Sequence, residues 1–212
     1  MSNIAYLIRK DILLVYRYML VLIPLLGYMA FLQTGGFMYY AVLPSAMMLI
    51  TACTLEIQPA NQRFIASLPV SRRRIVLARY ASVLPYTLIG IALGLMMKIV
   101  AELLGQPISA VHWQESVAVL GINLLLASVF LPLYYWLGPK GMQAVRLAFI
   151  VLVIVGSTTF GYLLKDSLTM QRWINDGVWR AAPGLLIAML SIVLLLILSL
   201  LLSWRLYERR DV

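Results

Sequence analysis

Side chains able to do covalent chemistry are scarce in this chain, and their spacing excludes most catalysis. His112 is the only histidine and Cys53 the only cysteine. One histidine cannot make the paired-imidazole zinc site of a metalloprotease. One cysteine can neither close an intramolecular disulfide nor assemble a thiolate metal site. No GxxxxGK[ST] run occurs, so no phosphate-cradling loop for ATP hydrolysis is expected within the chain. No GxSxG occurs either, and a serine nucleophile would need such a strained turn with a base opposite it. The "GSTTF" at 156–160 reads instead as small and hydroxyl side chains for helix packing. The expectation is a protein that is not an enzyme and binds no cofactor or metal of its own.

What remains are charges, amides and hydroxyls set in apolar surroundings. Arg72, Arg73, Arg74 and Arg79 crowd into "SLPVSRRRIVLARY" (67–80) with no acid among them. Lys98 and Glu102 stand four apart, the spacing at which two helical side chains pair. Asp11 interrupts an apolar face of Ile4, Leu7, Ile8, Ile12 and Val15. A lone carboxylate there is costly, so an arginine partner is expected, from the 72–79 group with Arg74 and Arg79 as candidates, or from near the C-terminus. Asn123, Ser128 and Thr158 fall inside apolar runs. Such groups either line a translocation path or bond neighbouring helices. The chain of intramembrane acids that proton-coupled transport uses is missing from the sequence.

The elements that must position these groups are membrane spans. The chain is 63% hydrophobic and only 12% charged, with a mean hydropathy of +0.93. A water-soluble domain is closer to half apolar and a quarter charged. The net charge of +9 therefore speaks of topology and anionic headgroups rather than nucleic acid. Six runs reach the length of about 20 residues that a spanning helix needs: 18–35, 37–57, 80–104, 116–137, 145–165 and 183–204. The expected fold is all-α and integral to the membrane, one transmembrane domain over 1–212, with an interfacial amphipathic helix at 1–17. No small-residue cleavage site follows the first oily run, so that run is not read as a cleavable signal.

Positive charge sets the orientation. Of the seventeen Lys and Arg residues, only Lys98, Lys165, Arg172 and Arg180 fall on one side; the other thirteen, from Arg9 to Arg210, fall on the other. The richer side is expected to be cytoplasmic, which puts both termini inside. The loop at 58–79 is the longest on that side. Pro59 suits the first turn of a short helix. Phe64 and Leu68 share one face with Ile65 beside them. Pro69 ends that helix, and Ser71 can cap the next. Two short helical pieces with a proline break are more than a connector needs, and the loop reads as a docking element.

With Glu56 and Arg63 before it, "SLPVSRRRIVLARY" resembles the first cytoplasmic loop of ABC-2 type exporter membrane subunits, in the small bacterial branch. "LIRKDILL" (7–14) is similar to that branch's N-terminal interfacial helix, and "LPLYYWLGPKGMQAVR" (131–146) to its second cytoplasmic turn. "EIQPANQ" (56–62) departs from it in carrying fewer charges. The resemblance implies an ABC-2, type V exporter-like permease in the cytoplasmic (inner) membrane. It implies pairing with a second copy or a related permease and docking of two separate ATPase subunits, which bind the ATP and Mg. It implies a peptide, lipid or drug as exported cargo, with Asn61, Gln62, Arg63, Phe64, Ile65, Arg72 and Arg73 as the coupling contact. The alternative is a membrane scaffold or sensor subunit that moves nothing.

Overall fold

A lipid environment offers the backbone no hydrogen-bond partners, so a spanning segment must satisfy its own N–H and C=O groups as a helix. The computed structural model obeys this. It describes residues 9, 12, 13, 15, 18, 23, 24, 26, 27, 37–58, 61, 71–103, 113–166 and 182–208. Among these, every regular element is α-helical: α1 (Phe37–Glu56), α2 (Arg72–Leu103), α3 (Trp113–Asp166) and α4 (Ala182–Glu208). Four stretches are long and apolar enough to cross a membrane: Phe37–Glu56, Arg73–Leu103, Glu115–Gly138 and Leu190–Tyr207. They correspond to four of the six expected spans. Gln143–Gly156, overlapping the expected fifth span, is an apolar helix but shorter. The N-terminal interfacial helix and the first span fall mostly outside the described residues, as do Asp11 and the loop residues Gln62, Arg63, Phe64 and Ile65.

α1 has the most buried span of the described helices. It packs on both α2 and α3, and α3 in turn packs on α4. In its span 78% of residues are buried, against 11% in the span of α4. α4 turns Leu194, Leu198, Leu201 and Leu202 outward. In water that face would demand a cover, but in hydrocarbon it is an ordinary lipid-facing surface, because lipid tails are as apolar as leucine.

For the same reason apolarity alone cannot hold membrane helices together, and close backbone approach matters more. α1 and α2 meet through small residues. A Cβ on Gly90 would stand 2.4 Å from the Ala41 carbonyl oxygen and 2.9 Å from Ser45 Cβ. One on Gly94 would stand 3.2 Å from Ala41 Cβ. Each helix also carries one internal proline, Pro44 and Pro85, which removes a backbone donor and loosens the ladder locally.

The turn expected at "LGPKG" is tighter than a loop. α3 is two helical arms meeting at Gly138, whose φ of 63° and ψ of −161° lie in a region essentially confined to glycine. Pro139 opens the second arm, where its fixed φ and missing N–H cost nothing. A single glycine followed by proline thus redirects the chain without a connecting segment. α2 begins well before residue 80, where its oily run starts. The Ser71 carbonyl accepts the N–H groups of Arg74 (2.9 Å) and Ile75 (3.3 Å), so the first helical turn is made of arginines.

Candidate functional site

The charged segment 71–80 is helical, and a helix sorts its residues by face. Val76, Arg79, Val83 and Tyr86 recur at three- and four-residue intervals, and all four are buried. Arg73 and Arg74 lie on the exposed side, and Arg72 is the first residue of α2. The cluster that looks uniform in sequence is therefore two things: exposed arginines on the first turn, and a buried guanidinium one face away.

Arg79 is 3% exposed and pairs with Glu56, the last residue of α1. Burying either charge alone would cost several kcal/mol, and the pair is tolerable only because each supplies what the other lacks. Its surroundings are aromatic. Cys53, Val76, Tyr134 and Tyr135 belong to one buried cluster. Tyr135 stacks edge-on against Tyr134 (4.9 Å between ring centres) and against Tyr207 of α4 (5.2 Å). The ion pair thus joins the end of α1 to the start of α2, against α3.

Two further sets of contacts brace the same region. Asn61 donates from Nδ2 to the Leu55 carbonyl at 2.7 Å, and the Gln58 N–H donates to the same carbonyl at 3.2 Å. These satisfy an acceptor that the end of α1 would otherwise leave open. Next to Arg79, the Tyr80 hydroxyl lies 2.6 Å from Ser199 Oγ and 2.9 Å from Ser203 Oγ. Ser199 spends its one proton on the Ser128 carbonyl at 2.6 Å. Tyr80 must then donate to Ser199, and Ser203 to Tyr80. A directed chain of hydroxyls ties α4 to α2 and α3.

Helix stability does not account for the exposed arginines. Cations at a helix N-terminus oppose the macrodipole, at roughly 0.3–1 kcal/mol each, and no acidic residue sits in the first turn of α2 to offset them.

The remaining candidates are dispersed. Lys98 Nζ stands 3.5 Å from Glu102 Oε1 near the far end of α2. Ser128 donates its hydroxyl to the Leu125 carbonyl at 2.7 Å within its own helix. Asn123 is 4% exposed and lines a small cavity between α1, α2 and α3. Thr158 lies in the second arm of α3.

Glu56 and Gly90 are the helix-contact positions that reading the sequence passed over. Glu56 enters there only as part of a resemblance, although it stands at the end of the span that precedes the arginines. Gly90 and Gly94 form a small-xxx-small pair, as do Ala41 and Ser45, and that spacing is a recognised signal for close helix approach.

Among the described residues the arrangement contains a braced junction and polar helix contacts. No curated protein and no solved structure matches the chain significantly. A family model described as ABC-2 family transporter protein matches residues 6–208. With nearly the whole chain matched and four membrane-length helices in place, this protein belongs to the ABC-2 transporter family.

Proposed function

We propose that this multi-pass protein is the permease subunit of an ABC exporter, and that residues 59–74 are where it meets a separate ATPase. Two cytosolic ATPase subunits bind the ATP and Mg and dock beneath a pair of permeases. Their closure tilts the spans and expels a hydrophobic or amphipathic cargo from the cytoplasm. The membrane is the inner one, with both termini on the ATPase side.

One observation carries the proposal. The two helices that flank the segment are bound to each other by the buried Glu56–Arg79 pair. A push on the segment between them is then transmitted to α1 and α2 together instead of being absorbed by slack. α1 is the most buried of the described spans, so its displacement must move the bundle. Phe64 and Ile65 supply the apolar contact, and Arg63, Arg72 and Arg73 face acidic groups on the motor. Aromatic and arginine anchors dominate many interfaces of this kind.

The test is reconstitution in lipid with the ATPase that copurifies, reading ATPase stimulation and cargo release together. Phe64→Ala and Arg63→Ala are expected to abolish stimulation while membrane insertion stays normal. If both variants stimulate and transport like the native chain, the segment is not the coupling contact. If no ATPase is stimulated at all, the chain is a scaffold or sensor.

A further inference from the structure

Asparagine has two donor hydrogens and a carbonyl oxygen with two lone pairs, and in the membrane interior these find no solvent. Asn123 is 4% exposed, and neither its Oδ1 nor its Nδ2 has a hydrogen-bond partner among the described residues. It faces a cavity of about 10 Å³ that Ser45, Thr87 and Tyr86 also line. Ser45 lies mid-way along Phe37–Glu56, Thr87 mid-way along Arg73–Leu103, and Asn123 toward the middle of Glu115–Gly138. The cavity therefore sits near half-depth in three spans at once.

We propose that this cavity is a binding site for one water molecule, held by Asn123 between α1, α2 and α3. Size and chemistry select the occupant. A space of about 10 Å³ is at the lower limit for one water and far too small for an organic cargo. No charged residue lines it, so an ion would be stripped of hydration without a counter-charge. An apolar cavity of this size would stay dry, but one with several polar partners is where buried water is found.

The hydrogen bonds can be assigned. Ser45 directs its proton to the Ala41 and Val42 carbonyls of its own helix (2.9 and 2.8 Å). Thr87 gives its proton to the Val83 carbonyl (2.8 Å). Both hydroxyls therefore meet the cavity as acceptors. The water accepts from Asn123 Nδ2 and has two hydrogens to distribute among Asn123 Oδ1, Ser45 Oγ and Thr87 Oγ1. Two of the three helices carry a proline immediately before a lining residue, Pro44 before Ser45 and Pro85 before Tyr86. The water thus bridges helices where their own hydrogen-bond ladders are interrupted, joining them through a molecule that can leave or return as they shift.

Radiolytic hydroxyl labelling in lipid nanodiscs tests the site, because radicals formed from a bound water oxidise the buried side chains beside it. Tyr86 and Phe130 are both 1% exposed, but only Tyr86 lines the cavity. After correction for intrinsic reactivity, Tyr86 is expected to be oxidised several-fold faster than Phe130 in the native protein. In Asn123→Leu the rate at Tyr86 should fall to that of Phe130. In Asn123→Ser, which keeps a polar group and the space, it should stay high. Equal rates at Tyr86 and Phe130 in the native protein would overturn the proposal even if no variant folds. An unchanged Tyr86 rate in a folded Asn123→Leu would overturn it as well.

Discussion

Glu56 and Arg79 are 23 residues apart in the chain and form one buried ion pair, the terminal residue of α1 against the eighth residue of α2. Its geometry makes the two helices a single mechanical unit at the arginine-rich end of the bundle. Removing one partner leaves the other charge buried, which costs about 3–5 kcal/mol. Arg79→Ala should therefore lower the thermal midpoint in detergent sharply. Arg74→Ala, on the exposed side of the same helix, should stay within about 0.5 kcal/mol of the native protein. The double variant Glu56→Leu/Arg79→Met should recover most of the lost stability, since an apolar pair of similar volume often replaces a buried ion pair at no cost. Equal midpoints for Arg79→Ala and Arg74→Ala would refute the buried pair.

The seam between α1 and α2 is set by Gly90. A methyl group there would collide with the Ala41 carbonyl, which is backbone and cannot swing aside. Gly90→Ala should cost about 1–3 kcal/mol, the usual range for overpacking. Gly156→Ala is the matched control, because nothing lies within 4 Å of a Cβ at that position. Thermal unfolding of the two variants side by side decides the matter, and a harmless Gly90→Ala would mean the helices are not in close contact.

At Gly138 the constraint is conformational. Its positive φ with extended ψ is expected to cost any other residue about 1–3 kcal/mol. Gly138→Ala should destabilise the fold or open the angle between the arms of α3. A spin-label distance between Leu125 and Leu152, both exposed on opposite arms, reads that angle. An unchanged distance together with unchanged stability would show that the bend does not depend on glycine.

The charge bias predicts the orientation of the whole chain. Cysteines placed at Gly36 and Asp176 should react with an impermeant reagent from outside, and one at Ser71 only after the membrane is opened. Labelling of position 71 in intact cells would reverse the orientation and remove residues 59–74 from the cytosol.

Much of the architecture was legible because it is locally determined. A spanning helix must satisfy its backbone within one segment, so length and hydropathy alone mark α1, α2, the first arm of α3 and α4. The bend at "LGPKG" was visible as a boundary because glycine and proline impose their own dihedral limits. That it is a one-residue kink rather than a loop depends on how the second arm packs. Residues 59–70 show a proline-broken amphipathic pattern, but a pattern does not say what docks against it.

The candidate site was legible only in part, because its key contacts join distant segments. From the sequence, four arginines formed one cluster; helical phase then placed Arg73 and Arg74 outward and Arg79 on the stripe of Val76 and Val83. The choice of Glu56 as partner required α1 and α2 to lie antiparallel and close, which the glycines at 90 and 94 permit. The hydrogen bond from Ser199 to the Ser128 carbonyl spans 71 positions and has no local signature at all. Asn123 was recognisable as an amide in an apolar run, yet its burial beside Ser45 and Thr87 follows from three helices meeting at one depth. By itself, then, the sequence determined which of the described segments are long and apolar enough to cross a membrane, because that is decided by each segment against the solvent. The tertiary structure decided which polar groups meet, because that depends on where separate helices touch.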